Sequence, residues 1–244
     1  MNRFKKLIGY IRSYARFCIN IVLHSVSRPT VGVVILSCSN TPEITTMTQR
    51  AIDSIMLQNS SDIRTVVVES GPDVVYNRAV VIKPNITFNY NQFLKIGIRH
   101  LLSAGQCDYV LILNNDILAY PSAIDNLVRY GLESCSPVNP LNVEQSGVTK
   151  LTFGYSVRYH VVGWGLCLRS SLFGKLSLDD LFPSEFSFYH QDNYFSHVID
   201  KFGVIHGVVP HSKIVHYEGV SHSIRPDLLN NNSEAMFVDK TSKV

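Results

Sequence analysis

Residues 109–120, YVLILNNDILAY, constrain the fold of this chain more than any other stretch. Their first five residues form a short apolar run with β-branched members, which predicts a buried strand. Asn114, Asn115 and Asp116 then interrupt the run, and ligands bind at this carboxyl end of a strand in open α/β sheets. A carboxylate there can hold a divalent metal against a phosphate. Asn and Asp also favour plain turns, so neighbouring segments must decide between a site and a turn.

Apolar runs that predict strands alternate along the chain with segments of helical spacing. The predicted strands are residues 31–36, 63–68, 79–82, 109–113, 134–138, 161–168, 204–209 and 213–217. The predicted helices are residues 45–57, 90–102, 121–130 and a stretch that begins at His190 and is closed by Gly203. This alternation predicts an α/β fold with a mostly parallel sheet and crossover helices.

Three of the predicted strands end in polar loops, which are SCSN at 37–40, ESG at 69–71 and NND at 114–116. In a parallel sheet these strand ends lie on one edge, so the loops converge, as in nucleotide-binding proteins. The convergence favours a site over a turn at NND. The chain has neither GxGxxG after the first strand nor GxxxxGK[ST], which argues against a dinucleotide dehydrogenase and a P-loop NTPase.

The charge of the chain is unevenly placed. Six basic residues precede the first acid, Glu43, and the net charge of +3 therefore belongs to the N-terminus. Residues 3–26 carry apolar side chains at helical spacing between basic ones, and no apolar run is long enough to span a bilayer. Such a cationic amphipathic helix can cover its own fold or a partner, lie peripherally on an anionic membrane, or contact nucleic-acid phosphates.

Composition and cysteine usage fit a cytoplasmic globular protein. The 244 residues suffice for one α/β domain or two small ones, and 45% of them are hydrophobic against 17% charged. The five cysteines are scattered and form no CxxC pair, which argues against a disulfide framework and a zinc site. We expect a helix at 1–28, a catalytic domain at 29–222 and a polar tail at 223–244.

Single residues in the second half suggest further roles. Gly163 and Gly165 flank the only tryptophan, Trp164, which indicates either a close backbone approach beside a stacking surface or a buried core residue. Asp192 falls in the first turn of a predicted helix, where the dipole favours a carboxylate. Most of the histidines lack metal-binding spacing and are expected to be structural, but His216 ends a predicted strand.

These segments, in this order, resemble the family 2 glycosyltransferases, which have the Rossmann-like GT-A fold. VGVVILSCSN is similar to the first strand and loop of that family, TVVVESG to the second, and FNYNQFLKIGI to its asparagine–glycine helix. YVLILNNDILAY is similar to the strand with the DxD motif. FYHQDNYFSHVIDKFG followed by SKIVHYEGVSH resembles the helix with the ED pair and the later histidine. The match extends from about residue 31 to 222.

The resemblance implies an inverting, metal-assisted hexosyl- or pentosyltransferase that moves a sugar from a nucleotide-sugar donor to a hydroxyl acceptor. Asp192 would be the catalytic base, and Asp116 and His216 would hold Mn or Mg. Glu69 would contact the nucleobase. The donor site as a whole would comprise Ser37, Ser39, Glu69, Asn91, Asn115 and Asp116. The acceptor site would comprise Trp164, Gly165 and Gln191.

Three departures from the family pattern stand out. The first DxD position is Asn114, so fewer carboxylates would hold the metal, and Gln191 replaces the usual Glu before the base. The loop after the first strand has Cys38 and Ser39 where Thr-Tyr is common.

Two alternatives remain, which are a nucleotidyltransferase and a non-catalytic sugar-nucleotide-binding or scaffold protein. SCSNTPE lacks the basic, Gly-rich loop of the former. A surface glycan ranks first as acceptor, and lipid-linked glycans, proteins and modified DNA bases are also open.

Overall fold

The computed structural model describes residues 28–58, 61–103, 105, 107–186 and 191–217. The predicted amphipathic helix at 3–26 and the predicted polar tail from 223 lie outside the described residues. Among the described residues, no helix is both long and apolar enough to cross a membrane.

One sheet runs through the described part of the chain. Its strands are β1 (Thr30–Ser37), β2 (Asp62–Glu69), β3 (Ala79–Ile82), β4 (Tyr109–Leu113), β5 (Ile117–Ala119), β6 (Ser134–Val138), β7 (Thr152–Phe153), β8 (Gly165–Arg169) and β9 (His206–His216). They lie in the order β3-β2-β1-β4-β8-β6-β9-β5, and β7 pairs with β9. Relative to β1, strands β2, β3, β4, β6 and β9 run parallel, whereas β5, β7 and β8 run in the opposite direction.

Helices cover both faces of this sheet. They are α1 (Pro42–Ile55), α2 (Tyr90–Ser103), α3 (Ala123–Arg129), α4 (Val143–Ser146), α5 (Leu178–Leu181) and α6 (Gln191–Lys201). Alternate side chains of β1 face opposite sides of the sheet. Val31, Val33 and Ile35 pack with α1 and α3. Val34 faces the other side, where it packs with α2, α5 and α6. Both faces of β1 are therefore buried, which explains its unbroken apolar sequence.

A glycine brings α2 close to the sheet. A Cβ atom at Gly97 would lie 2.6 Å from Val34 Cγ1 and 3.0 Å from Val68 Cγ2, so no larger side chain fits there. This contact holds the first turn of α2, which carries Tyr90 and Asn91, against the carboxyl edge of β1 and β2.

The predicted α/β class, with a mostly parallel sheet flanked by helices, is confirmed. Three of the predicted strands are wrong in detail. The strands expected at 204–209 and 213–217 are one strand, β9, which continues through Pro210 and the polar residues after it, with a register shift against β6. The strand expected at 161–168 begins only at Gly165, because Gly165 N–H closes a turn on Val162 O.

Candidate active site

The loops after β1 and β2 are joined by the carboxylate of Glu69. The side chain is fully buried, and β1 and β2 end in register at Ser37 and Glu69. Glu69 Oε1 accepts hydrogen bonds from the backbone N–H of Ser39 at 2.9 Å and of Gly71 at 2.6 Å. Oε2 accepts from the Tyr76 hydroxyl at 3.1 Å. The loops after β1 and β2 therefore converge, as expected from the sequence. The buried carboxylate of Glu69 joins them through its hydrogen bonds.

A chain of hydroxyl groups extends from these loops to the end of β4. Ser37 Oγ lies 3.0 Å from Ser39 Oγ and 3.1 Å from Thr48 Oγ1 of α1. Asn115 Nδ2 donates to the same Thr48 oxygen at 3.1 Å. Three predicted donor-site residues, Ser37, Ser39 and Asn115, thus lie in one buried polar network. Thr48 joins them, and sequence patterning had assigned it only to a helix.

The end of β4 meets the end of β9 through the antiparallel pairing of Ile117 with His216. Asp116 is buried, and its Oδ1 lies 3.2 Å from His216 Nε2 without forming a hydrogen bond. Asn114 Nδ2 lies 3.1 Å from the same ring nitrogen. The two residues predicted as metal ligands are therefore neighbours. Asn114, which replaces the first Asp of the DxD motif, lies beside them.

This arrangement fits a divalent cation. The Asn114 amide donates to the lone pair of Nε2, which a cation would take over as a ligand, and Asp116 Oδ1 beside it has no donor among the described residues. A buried acceptor without a donor is costly, and a cation between Asp116 and His216 removes the cost. Among the described residues, no group of three or more His, Cys, Asp or Glu side chains could hold a metal. Two protein ligands leave the remaining positions for phosphate oxygens and water, as is usual for Mg²⁺ sites.

Trp164 lies beside His216 rather than deep in the core. Its ring stacks on the imidazole with centroids 5.1 Å apart and planes 12° apart, and the side chain is partly exposed. Its carbonyl oxygen accepts from Asn114 N–H at 3.0 Å. Both flanking glycines make close approaches, since a Cβ at Gly165 would lie 2.9 Å from Pro137 Cγ. Trp164 thus stacks on His216 with one part of its side chain exposed, and it also packs against the hydrophobic core.

Asp192 approaches this cluster from the first turn of α6. A Cβ at Gly163 would lie 3.3 Å from Asp192 Oδ2, so the carboxylate packs directly against the backbone of the segment that carries Trp164. Asp192 Oδ1 accepts from Asn193 N–H at 2.9 Å, which is the helix-end role expected on local grounds.

Tyr90 is a site residue that the sequence reasoning missed. Its hydroxyl donates to Gly163 O at 3.4 Å. The residue as a whole is partly exposed, but surrounding protein desolvates the hydroxyl and raises its pKa above the usual range; the negative charges of Asp192 and Asp116 raise the pKa further. The group therefore remains a neutral O–H donor near both carboxylates. The only signal in the sequence was its position next to Asn91 at the start of a predicted helix.

Comparison with solved structures gives the fold. The chain aligns with S. aureus TarS at a TM-score of 0.54 and 13% identity, over 82% of this chain and 38% of that one. It aligns with a mutant of Drosophila β-1,4-galactosyltransferase 7, in complex with manganese, UDP-Gal and xylobiose, at a TM-score of 0.54 and 12% identity, over 86% and 79%. The chain has a GT-A fold. It spans little more than a third of TarS. No protein-family model matches the sequence, and no curated protein matches it significantly.

Asn91 and Gln191 are the two remaining predicted site residues, and both have a buried side-chain oxygen in this GT-A fold. Asn91 is fully buried, its Nδ2 donates to Pro183 O at 2.8 Å, and its Oδ1 has no hydrogen-bond partner among the described residues. Gln191 Oε1 is likewise buried without a partner within the described part of the chain. Asn91 thus ties α2 to the segment that precedes α6. Lys95, one turn later in α2, strengthens the tie by donating to Ser184 Oγ at 2.7 Å.

Proposed function

We propose that the protein is a glycosyltransferase that moves a sugar from a nucleotide-sugar donor to a hydroxyl acceptor, with metal assistance and inversion at the anomeric carbon. The observation that carries the proposal is the pair of buried Asp116 and partly exposed His216, whose facing oxygen and nitrogen make no hydrogen bond with each other. The pair lies at the sheet edge where the Ser39 and Glu69 loops meet. The GT-A fold supports the proposal, and a structure with this fold contains manganese and UDP-Gal.

Asp116 and His216 would hold Mn²⁺ or Mg²⁺, which neutralises the charge of a departing nucleoside diphosphate. The nucleotide itself would lie along the loops that contain Ser37, Ser39 and Glu69. Asn115 lies next to Asp116 and is fixed by Thr48, so it keeps the metal-binding loop in register with those loops. Asn91 would support the site indirectly, through its hydrogen bond to Pro183 O.

Asp192 would take the proton of the acceptor hydroxyl through Oδ2, which faces Gly163. The acceptor would lie on the surface formed by Trp164, Gly165 and Gln191. Asp192 as a general base would serve a direct displacement with inversion. Tyr90 stays protonated near both carboxylates and can donate to a sugar oxygen between them.

We propose a surface glycan as acceptor, and a modified DNA base as the second candidate. The basic segment at 3–26 favours an anionic surface or polyanion in either case. Salt dependence of acceptor binding separates the two, because each released phosphate counterion steepens the decline of affinity with salt.

The test is an incubation of the full-length protein with a panel of nucleotide sugars in Mn²⁺, Mg²⁺ or EDTA, with release of free nucleotide and thermal shift read from the same samples. We expect Asp192→Asn to lower turnover by about 10²–10⁴-fold with donor binding retained. Asp116→Asn should abolish metal-dependent donor binding. Asp62→Asn, an exposed carboxylate at the opposite edge of the sheet, is the matched control.

The outcomes are distinct. Donor binding without turnover in the wild-type protein, with every acceptor class supplied, supports the non-catalytic alternative. Binding to no nucleotide sugar contradicts the proposal, and so does full turnover in Asp192→Asn.

A further inference from the structure

Tyr76 lies where the loops after β1 and β2 meet, and its hydroxyl group contacts both of them. It is 3% exposed. Its hydroxyl is 3.1 Å from Glu69 Oε2 and 3.3 Å from Ser37 Oγ, and it also bonds to Ser39 Oγ. A phenol has one proton, and the carboxylate is the strongest acceptor present, so Tyr76 donates to Glu69 and accepts from the serines.

Most of the hydrogen-bonding capacity of Glu69 is thereby used inside the protein, because three of the about four acceptor sites of a carboxylate are occupied. One oxygen accepts two backbone N–H groups, from Ser39 and Gly71, and the other accepts from Tyr76. The carboxylate is fully buried. A nucleobase approaching from solvent would therefore meet the backbone that Glu69 orders, and not the carboxylate itself.

The loops are also in tight contact. A Cβ at Gly71 would lie 2.7 Å from Ser39 N and 2.9 Å from Glu69 Oε1. The backbone of the second loop therefore lies directly on that of the first, and neither can shift without breaking a bond to Glu69. The network continues through Ser37 and Thr48 to Asn115, next to the proposed metal ligand.

We propose that Tyr76 is a positioning residue, which with Glu69 locks the loops after β1 and β2 into the shape that receives the donor nucleotide. This inference rests on the proposed function. Because Tyr76 and Glu69 act on the shape of the backbone, the loss of their hydrogen bond weakens the binding of every nucleotide by the same factor. A carboxylate that read the base directly would instead change the preference between bases when it was altered.

The variants are Tyr76→Phe, Glu69→Gln and the pair of them. Tyr109→Phe is the matched control, because its hydroxyl is equally buried at 2% exposure and has no hydrogen-bond partner among the described residues. Tyr109 starts β4 at the edge opposite the site. The probes are UDP, GDP and CDP with MnCl₂, and the readouts are Kd, donor KM and kcat, and thermal unfolding.

We expect Tyr76→Phe to raise Kd about tenfold for each nucleoside diphosphate that binds the wild type, since a buried carboxylate oxygen loses its donor. Donor KM should rise by the same factor with kcat little changed. The double variant should be no weaker than the weaker single variant, because residues in one network are not additive. Tyr109→Phe should match the wild type in Kd, donor KM and kcat, and its thermal unfolding should be equal or higher, because the substitution removes a buried hydroxyl without a hydrogen-bond partner among the described residues.

Amide hydrogen exchange of the ligand-free proteins provides an independent readout. In Tyr76→Phe, the N–H groups of Ser39 and Gly71 should exchange faster, while amides in the middle of β1 keep their protection. Tyr109→Phe should leave both sets unchanged. This measurement decides the positioning role even if the wild type binds no nucleotide, a result that would contradict the proposed function alone.

Two results overturn the inference. Unchanged exchange at Ser39 and Gly71 in Tyr76→Phe means that the hydroxyl holds no loop in place. The second result is a changed ratio of the Kd values for UDP and GDP in Glu69→Gln, with no change of Kd in Tyr76→Phe. It would mean that Glu69 contacts the base directly.

Discussion

His206 should make the free energy of unfolding depend on pH. His206 begins β9, and its ring is buried beside β6, with Nδ1 2.7 Å from Ser134 Oγ. Nε2 lies 2.9 Å from His160 O and 3.2 Å from Ser136 Oγ. A neutral imidazole satisfies these contacts by donating from Nε2 to the carbonyl and accepting at Nδ1 from Ser134. Burial lowers the pKa of His206 from 6.5 to about 4.

The sign and the size of the effect follow from linkage. Below pH 6.5 the unfolded chain binds a proton at this residue, whereas the folded chain binds it only below about pH 4. Acidification in that window therefore favours the unfolded state. The difference between the two pKa values corresponds to roughly 3 kcal/mol in total, of which about 2 kcal/mol is lost between pH 7.5 and 5.

Urea unfolding at pH 7.5 and pH 5 measures this loss. We expect His206→Gln, which keeps a donor for the carbonyl of residue 160, to lose about 2 kcal/mol less than the wild type on acidification. Burial also lowers the pKa of His160, which adds a loss of the same sign to both proteins and so cancels. His100→Gln, an exposed histidine in the last turn of α2, is the control and should behave as the wild type. Equal pH dependence in wild type and His206→Gln would refute the reasoning.

Three further changes test the fold and the site. Gly97→Ala should lower the free energy of unfolding by about 1–2 kcal/mol in urea, since the clash with Val34 exceeds the helix propensity that alanine gains; a more stable variant contradicts the packing. Lys95→Met should cost about 1–2 kcal/mol with little salt dependence, because the buried bond to Ser184 matters more than the exposed partner Asp179; a strong salt effect on the difference would oppose this. Tyr90→Phe should lower kcat about threefold to tenfold with donor Kd unchanged, in steady-state kinetics, if its O–H acts between the carboxylates; an unchanged kcat removes Tyr90 from the site.

The strands and helices near β1 were predictable because their burial pattern is regular. β1 and β4 are buried on both faces along most of their length, and β2 in its second half, so each contains an unbroken apolar run. The helices α1 and α2 each bury one stripe. β9 was predicted as two strands because Pro210, His211 and Ser212 interrupt its apolar residues. The strand continues because its pairing with β6 shifts register between Ser136 and Val138. Pairing of this kind depends on the partner strand, which local sequence does not report.

The site was predictable where it depends on strand ends, and not where it depends on contacts between distant segments. Asp116 and Glu69 follow apolar runs, and their position at the edge follows from parallel pairing. Tyr76 and Tyr90 carry no such signal, because tertiary contacts alone bring their hydroxyls to Glu69 and Gly163. The engagement of both Glu69 oxygens is equally invisible in sequence, since it requires the approach of Gly71 to Ser39.

The direction of β8 explains how the proposed acceptor surface comes to lie beside the proposed metal ligands. β8 is antiparallel to β4, so Leu113 at the end of β4 pairs with Gly165 at the start of β8. The residue that precedes β8, Trp164, therefore lies at the same edge as the residues that follow β4. β6 and β9 run parallel to β4, so the end of β9 brings His216 to that edge as well, 102 positions along the chain from Asn114. In a purely parallel sheet the start of β8 would lie at the opposite edge, and the stack of Trp164 on His216 could not form. One reversed strand is thus what joins the proposed acceptor surface to the proposed metal ligands.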